Sequence, residues 1–409
     1  MSKLSVLRKK NDKLYLVLFQ ILSAVTGIGI GKVLATFFPP EIYGLYNLQF
    51  ATVLLFTSIF IAPLIQFIKT HNNTLNKKIG TNIYNKILLF LTFLSFCFIL
   101  ISFNFLDFNI SEILFCTIFL YIIFDAIFKI KLNLAQTSNY LITYGLLEAL
   151  QKIFYLIALF VCIYTSKINS FEKIWYAITI SLIISFFISN YKIKSISKSI
   201  FKVSTYSLIK RLYVFSKPLI IMGIFAWLTN YFDRYIIDFF MSKEDVGIYN
   251  ASYSLGSKFF LLLSPIFITI LTPLIYKNEK LNIKKTEINK YINVYLIISF
   301  FSIILIFLFY PIIGKVFLSK SYSDGFYIIA GINLAYFLLT LSYFYELLFY
   351  AESLTKYILY LNFLSAIFNI ILNVILVNKY GITGAMISTI FSFLIRFLIA
   401  KLLYDKLKT

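Results

Sequence analysis

A chain built from one apolar run of about 20 residues after another has few ways to fold, because each run is long enough to cross a bilayer core of roughly 30 Å. Inside that core every backbone N–H and C=O must be satisfied within the protein, which makes each run a helix. Twelve helices are predicted, at about 14–38, 44–68, 81–103, 112–133, 140–164, 171–190, 217–240, 246–276, 292–318, 325–349, 355–378 and 381–405. A composition that is 60% hydrophobic and 13% charged excludes a soluble domain over 409 residues, and the short loops leave no room for a separate one. The expected fold is all-α and integral to a membrane.

The net charge of +21 would suit nucleic acid if it lay on one face of a domain, but the basic residues sit in short runs between spans. No nucleic-acid partner is expected. Those runs report orientation instead. Counting residues at span ends with the adjoining loops, 27 Lys and Arg lie on the side of the termini and 6 on the other. Both termini are therefore expected in the cytoplasm of a multi-pass protein of the cytoplasmic (inner) membrane. The basic start, Met1 to Lys13, precedes no small-residue cleavage site, so the first span reads as retained. Cys97, Cys116 and Cys162 fall in apolar stretches and read as inert packing.

Gly44-Leu45-Tyr46-Asn47 returns as Gly247-Ile248-Tyr249-Asn250, and Pro63-Leu64-Ile65 as Pro273-Leu274-Ile275. The longest connection, Tyr191 to Ser216, is basic, Ser-rich and falls between helices 6 and 7. Two halves, 1–200 and 201–409, are expected, sharing one orientation about an axis along the membrane normal. Chance matches in a chain poor in residue types are the alternative.

Charge inside apolar spans is rare and is read as functional by default. Five cations lie there: Lys32, Lys152, Arg234, Lys258 and Arg396. Lys258 falls near the middle of its helix, where snorkelling helps least, and is the foremost candidate. Lys32 stands near the outer surface, where it can snorkel, in a helix that also carries Gly27 and Gly31. Asp233 and Arg234 are neighbours pointing about 100° apart, so each is expected to need its own partner. In helix 5, Tyr144, Glu148, Gln151 and Tyr155 share a face, and Lys152 can pair with Glu148 four residues before it. A structural pair between helices is the competing reading there. Ser388, Ser392 and Arg396 form a polar line in helix 12; Asn362, Asn369 and Asn373 form another in helix 11, read as tying helices together. Asp125, four residues before Lys129, and Glu346 would be proton or cation sites if buried, with interfacial solvation the alternative. His71, the single histidine, is placed in the loop after helix 2. No phosphate-binding Gly-rich loop, zinc motif or nucleophile motif is present, so no catalytic residue, metal or cofactor is expected.

With these residues in place the chain resembles the polysaccharide-biosynthesis flippases, exporters of O-antigen and other lipid-linked oligosaccharides within the multidrug/oligosaccharidyl-lipid/polysaccharide exporter superfamily. The resemblance rests on Lys32 followed by Phe38-Pro39-Pro40-Glu41-Ile42-Tyr43-Gly44-Leu45-Tyr46. It continues in Asn230, Asp233 and Arg234 before Val246-Gly247-Ile248-Tyr249, and in Asn369 to Asn373 before Tyr380-Gly381-Ile382-Thr383-Gly384-Ala385. The family often has Arg where this chain has Lys32, which keeps a cation and loses the bidentate fork. The resemblance implies two six-helix bundles around a central cavity that opens alternately to each side. The implied cargo is a polyprenyl-diphosphate-linked glycan, with its lipid tail in the bilayer and a glycan polymerase as a candidate partner. Lys258, Arg396, Lys152, Lys32 and Arg234 would attract the diphosphate, while Glu148, Asp125, Asp233 and Glu346 are the candidates for ion coupling. Two rivals remain: a multidrug or cation-coupled exporter of the same superfamily, which would prefer an anionic cavity, and a membrane enzyme such as a glycan polymerase. The enzyme would be expected to carry a long external loop with acidic or His groups, and the external connections here are short.

Overall fold

The computed structural model describes residues 3–75, 81–108, 111–138, 140–165, 170–192, 205–278 and 280–407. Among these there is no strand. In chain order the helices are α1 (Lys3–Phe37), α2 (Pro40–Phe60), α3 (Ala62–Leu75), α4 (Thr81–Phe105), α5 (Glu112–Thr137) and α6 (Leu141–Tyr164). Then follow α7 (Glu172–Lys192), α8 (Thr205–Phe240), α9 (Lys243–Lys277), α10 (Leu281–Phe317), α11 (Phe326–Ala351) and α12 (Thr355–Lys406), with a 3-10 turn at Lys320–Gly325 before α11. Among the described residues 11 helices are long and apolar enough to cross a membrane.

The twelfth crossing comes from α12. It has 52 residues, and a straight helix of that length would run about 78 Å, more than twice the bilayer core. Gly381 breaks it with φ +57 and ψ −140, a left-handed position that costs glycine nothing sterically. The chain then doubles back. A Cβ on Gly384 would lie 2.1 Å from the Leu376 carbonyl oxygen, and Asn362 in the first limb meets Arg396 in the second.

Two of the expected loops are shorter than the sequence suggests. α8 begins at Thr205, so the last part of the Tyr191–Ser216 connection is helical; its residues 193–204 lie outside the described residues. His71 belongs to the backbone of α3 rather than to a loop. Pro63 near the start of α3 is tolerated in a first turn, and Leu64, Phe67 and Ile68 then bury one face of it at helical spacing.

The chain divides into two compact units, Met1–Phe38 with Gln49–Ile224 and Pro39–Leu48 with Phe225–Thr409. In the first, α1 lies on α6, α6 on α7 and α7 on α5, which also meets α3 and α4. Gly145 of α6 admits α1 closely: a Cβ there would stand 3.1 Å from both Leu16 and Phe19. Trp175 is fully buried, its indole N–H donating to Gln49 Oε1 at 2.9 Å, with the rings of Tyr121 and Phe50 at 5.3 and 6.0 Å. In the second unit α11 is enclosed by α9, α10 and α12. Its Phe337 stacks on Tyr295 of α10 at 5.8 Å, and Phe344 and Phe267 extend the ring cluster. Lipid gives helices no hydrophobic reason to associate, so close packing of this kind supplies the attraction.

Pro39–Leu48 joins the second unit because the first turn of α2 sits directly on the first turn of α9. A Cβ on Gly44 would lie 1.8 Å from the Lys243 carbonyl oxygen, and one on Gly247 would lie 1.9 Å from the Pro40 carbonyl oxygen. Lys243 stands before Gly247 as Pro40 stands before Gly44, so one contact is made twice, once in each direction, as in an isologous interface. Asn47 and Asn250, each following its glycine by the same interval, close the pair with a 2.6 Å hydrogen bond between their amides. The echoed motif is therefore a self-complementary contact. Gly44→Ala or Gly247→Ala should lower stability by about 1–3 kcal/mol, the usual cost of overpacking. Gly29→Ala, where the nearest side-chain atom is 4.0 Å away, should not. Melting temperatures of the detergent-solubilised variants check the contrast.

Candidate functional site

The polar centre of the second unit begins where α8 ends. Met241 and Ser242 form the whole turn to α9, and Ser242 caps that helix by accepting from the Asp245 N–H at 3.2 Å. One to two turns back in α8, Asp233 and Arg234 are buried, 1% and 5% exposed. Each has partners of its own, and the two also meet each other. Arg234 folds back so that Nη1 lies 3.1 Å from Asp233 Oδ1; the flexible arginine stem outreaches the 100° that separates adjacent Cβ directions on a helix. Its Nε donates to Asn250 Oδ1 at 2.8 Å and Nη1 to the Asn230 carbonyl. The rings of Tyr231 and Tyr253 lie 4.7 and 5.4 Å from the guanidinium carbon. Asp233 Oδ2 accepts from the Tyr249 hydroxyl at 2.8 Å, which stands 3.4 Å from Thr389 Oγ1 in α12. Since Asn250 donates to Asn47, the hydrogen-bonded chain runs from α2 through α9 to α8 and on to α12.

A second buried guanidinium lies farther along α12. Arg396 Nε and Nη2 meet Glu346 Oε1 at 3.0 and 2.9 Å, and Nη1 donates to Asn362 Oδ1 at 2.8 Å. Glu346 is 4% exposed, so interfacial solvation does not hold for it: the returning limb of α12 covers it and delivers its counter-ion. Asn362 does tie helix to helix, as its spacing suggested. Asn373 donates to Asn369 Oδ1 at 3.0 Å, and Ser388 and Ser392 turn their hydroxyls onto the carbonyls of Gly384 and Ser388. Among the described residues' buried polar atoms without a partner, α12 contributes Ser365 Oγ, Asn369 Nδ2 and Asn373 Oδ1.

The remaining candidates lie elsewhere. Lys258 is half-buried in α9, about two turns past Asn250. In the first unit Lys32 is exposed on α1, while Glu148 and Lys152 are half-buried on α6. Glu148 and Lys152 form none of the four ion pairs found among the described residues, whereas Asp125 and Lys129 meet at 2.6 Å. Lys152 crosses to α1 instead, its Cδ and Nζ each 4.0 Å from where a Cβ of Gly27 would be. Gln151 donates to Ser181 of α7 at 3.3 Å. Sequence reasoning missed the Asn47–Asn250 bridge, Tyr249 on Asp233, and Tyr253 on Arg234 with Tyr336 bonded to it; the repeated Gly-x-Tyr-Asn motif was the signal that could have led to the bridge.

Charged groups buried in apolar helices belong here to a multi-pass membrane protein, and solved structures share its fold. The fold is similar to that of the lipid II flippase MurJ in an inward closed conformation, with a TM-score of 0.74 and 18% identity over 95% of this chain and 88% of that one. It is also similar to a multidrug resistance MATE family transporter of the MOP superfamily in an inward-facing conformation, at 0.67 and 13% over 95% and 94%. A MOP superfamily transporter from Pyrococcus furiosus, described as having a binding pocket of reverse polarity, gives 0.58 and 13% over 97% and 94%. No curated protein matches the chain in sequence. The chain belongs to the polysaccharide biosynthesis protein family, whose pattern matches residues 10–279, well over half its length.

Removing one partner of a buried ion pair strands the other charge, at a cost of roughly 3–5 kcal/mol. Glu346→Gln or Arg396→Gln alone should therefore lower the melting temperature sharply, and Glu346→Leu combined with Arg396→Met should recover most of the loss. Equal losses in the single and double variants would show that the pair is not what stabilises this part of the unit.

Proposed function

We propose that this protein is a flippase that moves a polyprenyl-diphosphate-linked oligosaccharide from the cytoplasmic to the outer leaflet by alternating access, for assembly of a surface polysaccharide such as O-antigen or capsule. The observation that carries it is membership of the polysaccharide biosynthesis family in a chain that shares its fold, over 95% of its length, with a lipid II flippase. The halves 1–200 and 201–409 serve as the two six-helix bundles. The protein resides in the cytoplasmic (inner) membrane with both termini in the cytoplasm, in contact with membrane lipid and with a glycan polymerase as candidate partner.

The cargo has an anionic diphosphate, a polar glycan and a tail that need not leave the lipid. Arg234 and Arg396 each meet a buried carboxylate and also shape the second unit; together with Lys152, Lys258 and Lys32 they are the cations that draw the diphosphate. Coulomb attraction is strong where the surroundings are apolar. Moving one anionic charge outward across an inside-negative membrane gains about 2.3 kcal/mol per 100 mV. A multidrug exporter of the same fold would favour a surplus of acidic groups for a cationic drug, and here Asp125, Asp233 and Glu346 already hold cations.

Loss of the gene should remove the long surface glycan from a gel of cell-surface polysaccharide. In proteoliposomes, Lys152→Ala and Lys258→Ala should each slow translocation of a polyprenyl-diphosphate glycan by roughly tenfold, equivalent to about 1.4 kcal/mol, with Lys152→Arg close to wild type. Unchanged rates in both alanine variants would remove these lysines from the mechanism.

A further inference from the structure

The two limbs of α12 meet in a seam that is closed at both ends. At one end Gly384 abuts the backbone of Leu376; at the other Arg396 meets Asn362 at 2.8 Å and Glu346 at 2.9 Å. Between these ends Asn369 and Asn373 follow Asn362 by seven and eleven residues, which puts them on the face it turns toward the second limb. Ser365, three residues past Asn362, borders that face. All three are wholly buried, at 0% exposure. The stretch from Asn362 to Asn373 covers about 16 Å of helix.

The protein does not satisfy the polar groups of this seam by itself. Asn373 Nδ2 gives its two hydrogens to the Asn369 carbonyl and to Asn369 Oδ1, at 2.9 and 3.0 Å. Asn373 Oδ1, Asn369 Nδ2 and Ser365 Oγ are left without a partner among the described residues. The second limb cannot supply the missing hydrogens. Ser388, Thr389 and Ser392 have given theirs to carbonyls of their own helix, four residues back, and Arg396 points its nitrogens at Glu346 and Asn362. Buried polar groups left unmade are costly, so these three atoms require a partner from outside the chain.

The chemistry of the set selects that partner. It comprises an N–H donor, an oxygen acceptor and a hydroxyl that can serve as either. A cation would face the Asn369 N–H, and an anion would face Asn373 Oδ1. The buried carboxylates of this unit that could offset a cation, Asp233 and Glu346, are each held by an arginine. Water accepts from one amide and donates to the other, and internal waters settle where two to four polar groups converge.

We propose that the seam between the limbs of α12 is a binding site for internal water, held by Asn369 Nδ2, Asn373 Oδ1 and Ser365 Oγ. The limbs are thereby joined by protein groups at their ends and by exchangeable solvent along their middle. The site goes beyond the flippase reading and does not depend on the cargo.

Crystals of the full chain that diffract well enough to resolve water should show density at hydrogen-bonding distance from all three atoms, and a soak in thallium(I) acetate should give no anomalous peak there. Ser365→Ala supplies a test in solution, because the hydroxyl it removes has no protein partner. From a hydrated seam it takes away a bond to water and should lower the melting temperature of the detergent-solubilised protein by about 2 °C. From a dry seam it takes away an orphaned hydroxyl and should raise it. A thallium peak between the amides would make this a cation site, and missing density would make it dry. Either result, or a melting temperature of Ser365→Ala that is unchanged or raised, overturns the proposal.

Discussion

A guanidinium within an apolar span keeps its charge at any pH a cell meets, and the second unit is arranged around that fact. Both of its buried arginines are surrounded by groups that answer the charge at short range: a carboxylate, an asparagine oxygen and a tyrosine ring. Each set is gathered from more than one helix. Asn250 comes from α9 and reaches Arg234 on α8, while Glu346 of α11 and Asn362 of the first limb of α12 converge on Arg396 in the second limb. Charge neutralisation thus fixes which helix faces meet, in a setting where apolar contact alone is indifferent between partners.

The apolar spans were legible because the bilayer imposes one length on all of them, and the break within α12 falls at Gly381, the first residue of the last expected helix. The charged interior was less so. Spacing tells which residues of one helix face each other, and it served for Asp125 with Lys129. It failed for Glu148 with Lys152, because a gap at Gly27 of another helix competes for the lysine. For Asp233 and Arg234 it gave the separate partners but not their contact with each other, because Cβ directions say nothing of how far a long side chain can bend. Glu346 looked solvated because the limb that covers it lies some fifty residues later in the chain. The repeated Gly-x-Tyr-Asn was visible, but repetition alone does not reveal that the copies touch.

Much of the polar content of the spans is silent toward ligands. Thr26, Thr57, Ser181, Ser185 and Ser392 each return a hydroxyl hydrogen to a carbonyl three or four residues earlier in the same helix. Such residues let backbones approach and cost little in lipid. What distinguishes the two units is therefore the state of their charges rather than the number of polar residues. In the second, the buried carboxylates are pinned by arginines; in the first, a lysine and a glutamate on one helix lie a turn apart without joining.

The self-complementary glycine contact has a genetic corollary. In a dimer of identical half-length chains a single codon would govern both sides of such a seam, so any change would strike twice and be purged twice. Within one chain the codons are separate but the seam is shared: a bulkier residue at 44 meets the Lys243 carbonyl and one at 247 the Pro40 carbonyl, and either parts the same two helix turns. Positions 44 and 247 are consequently two loci under one steric law, and neither acquires freedom from the other by being written separately.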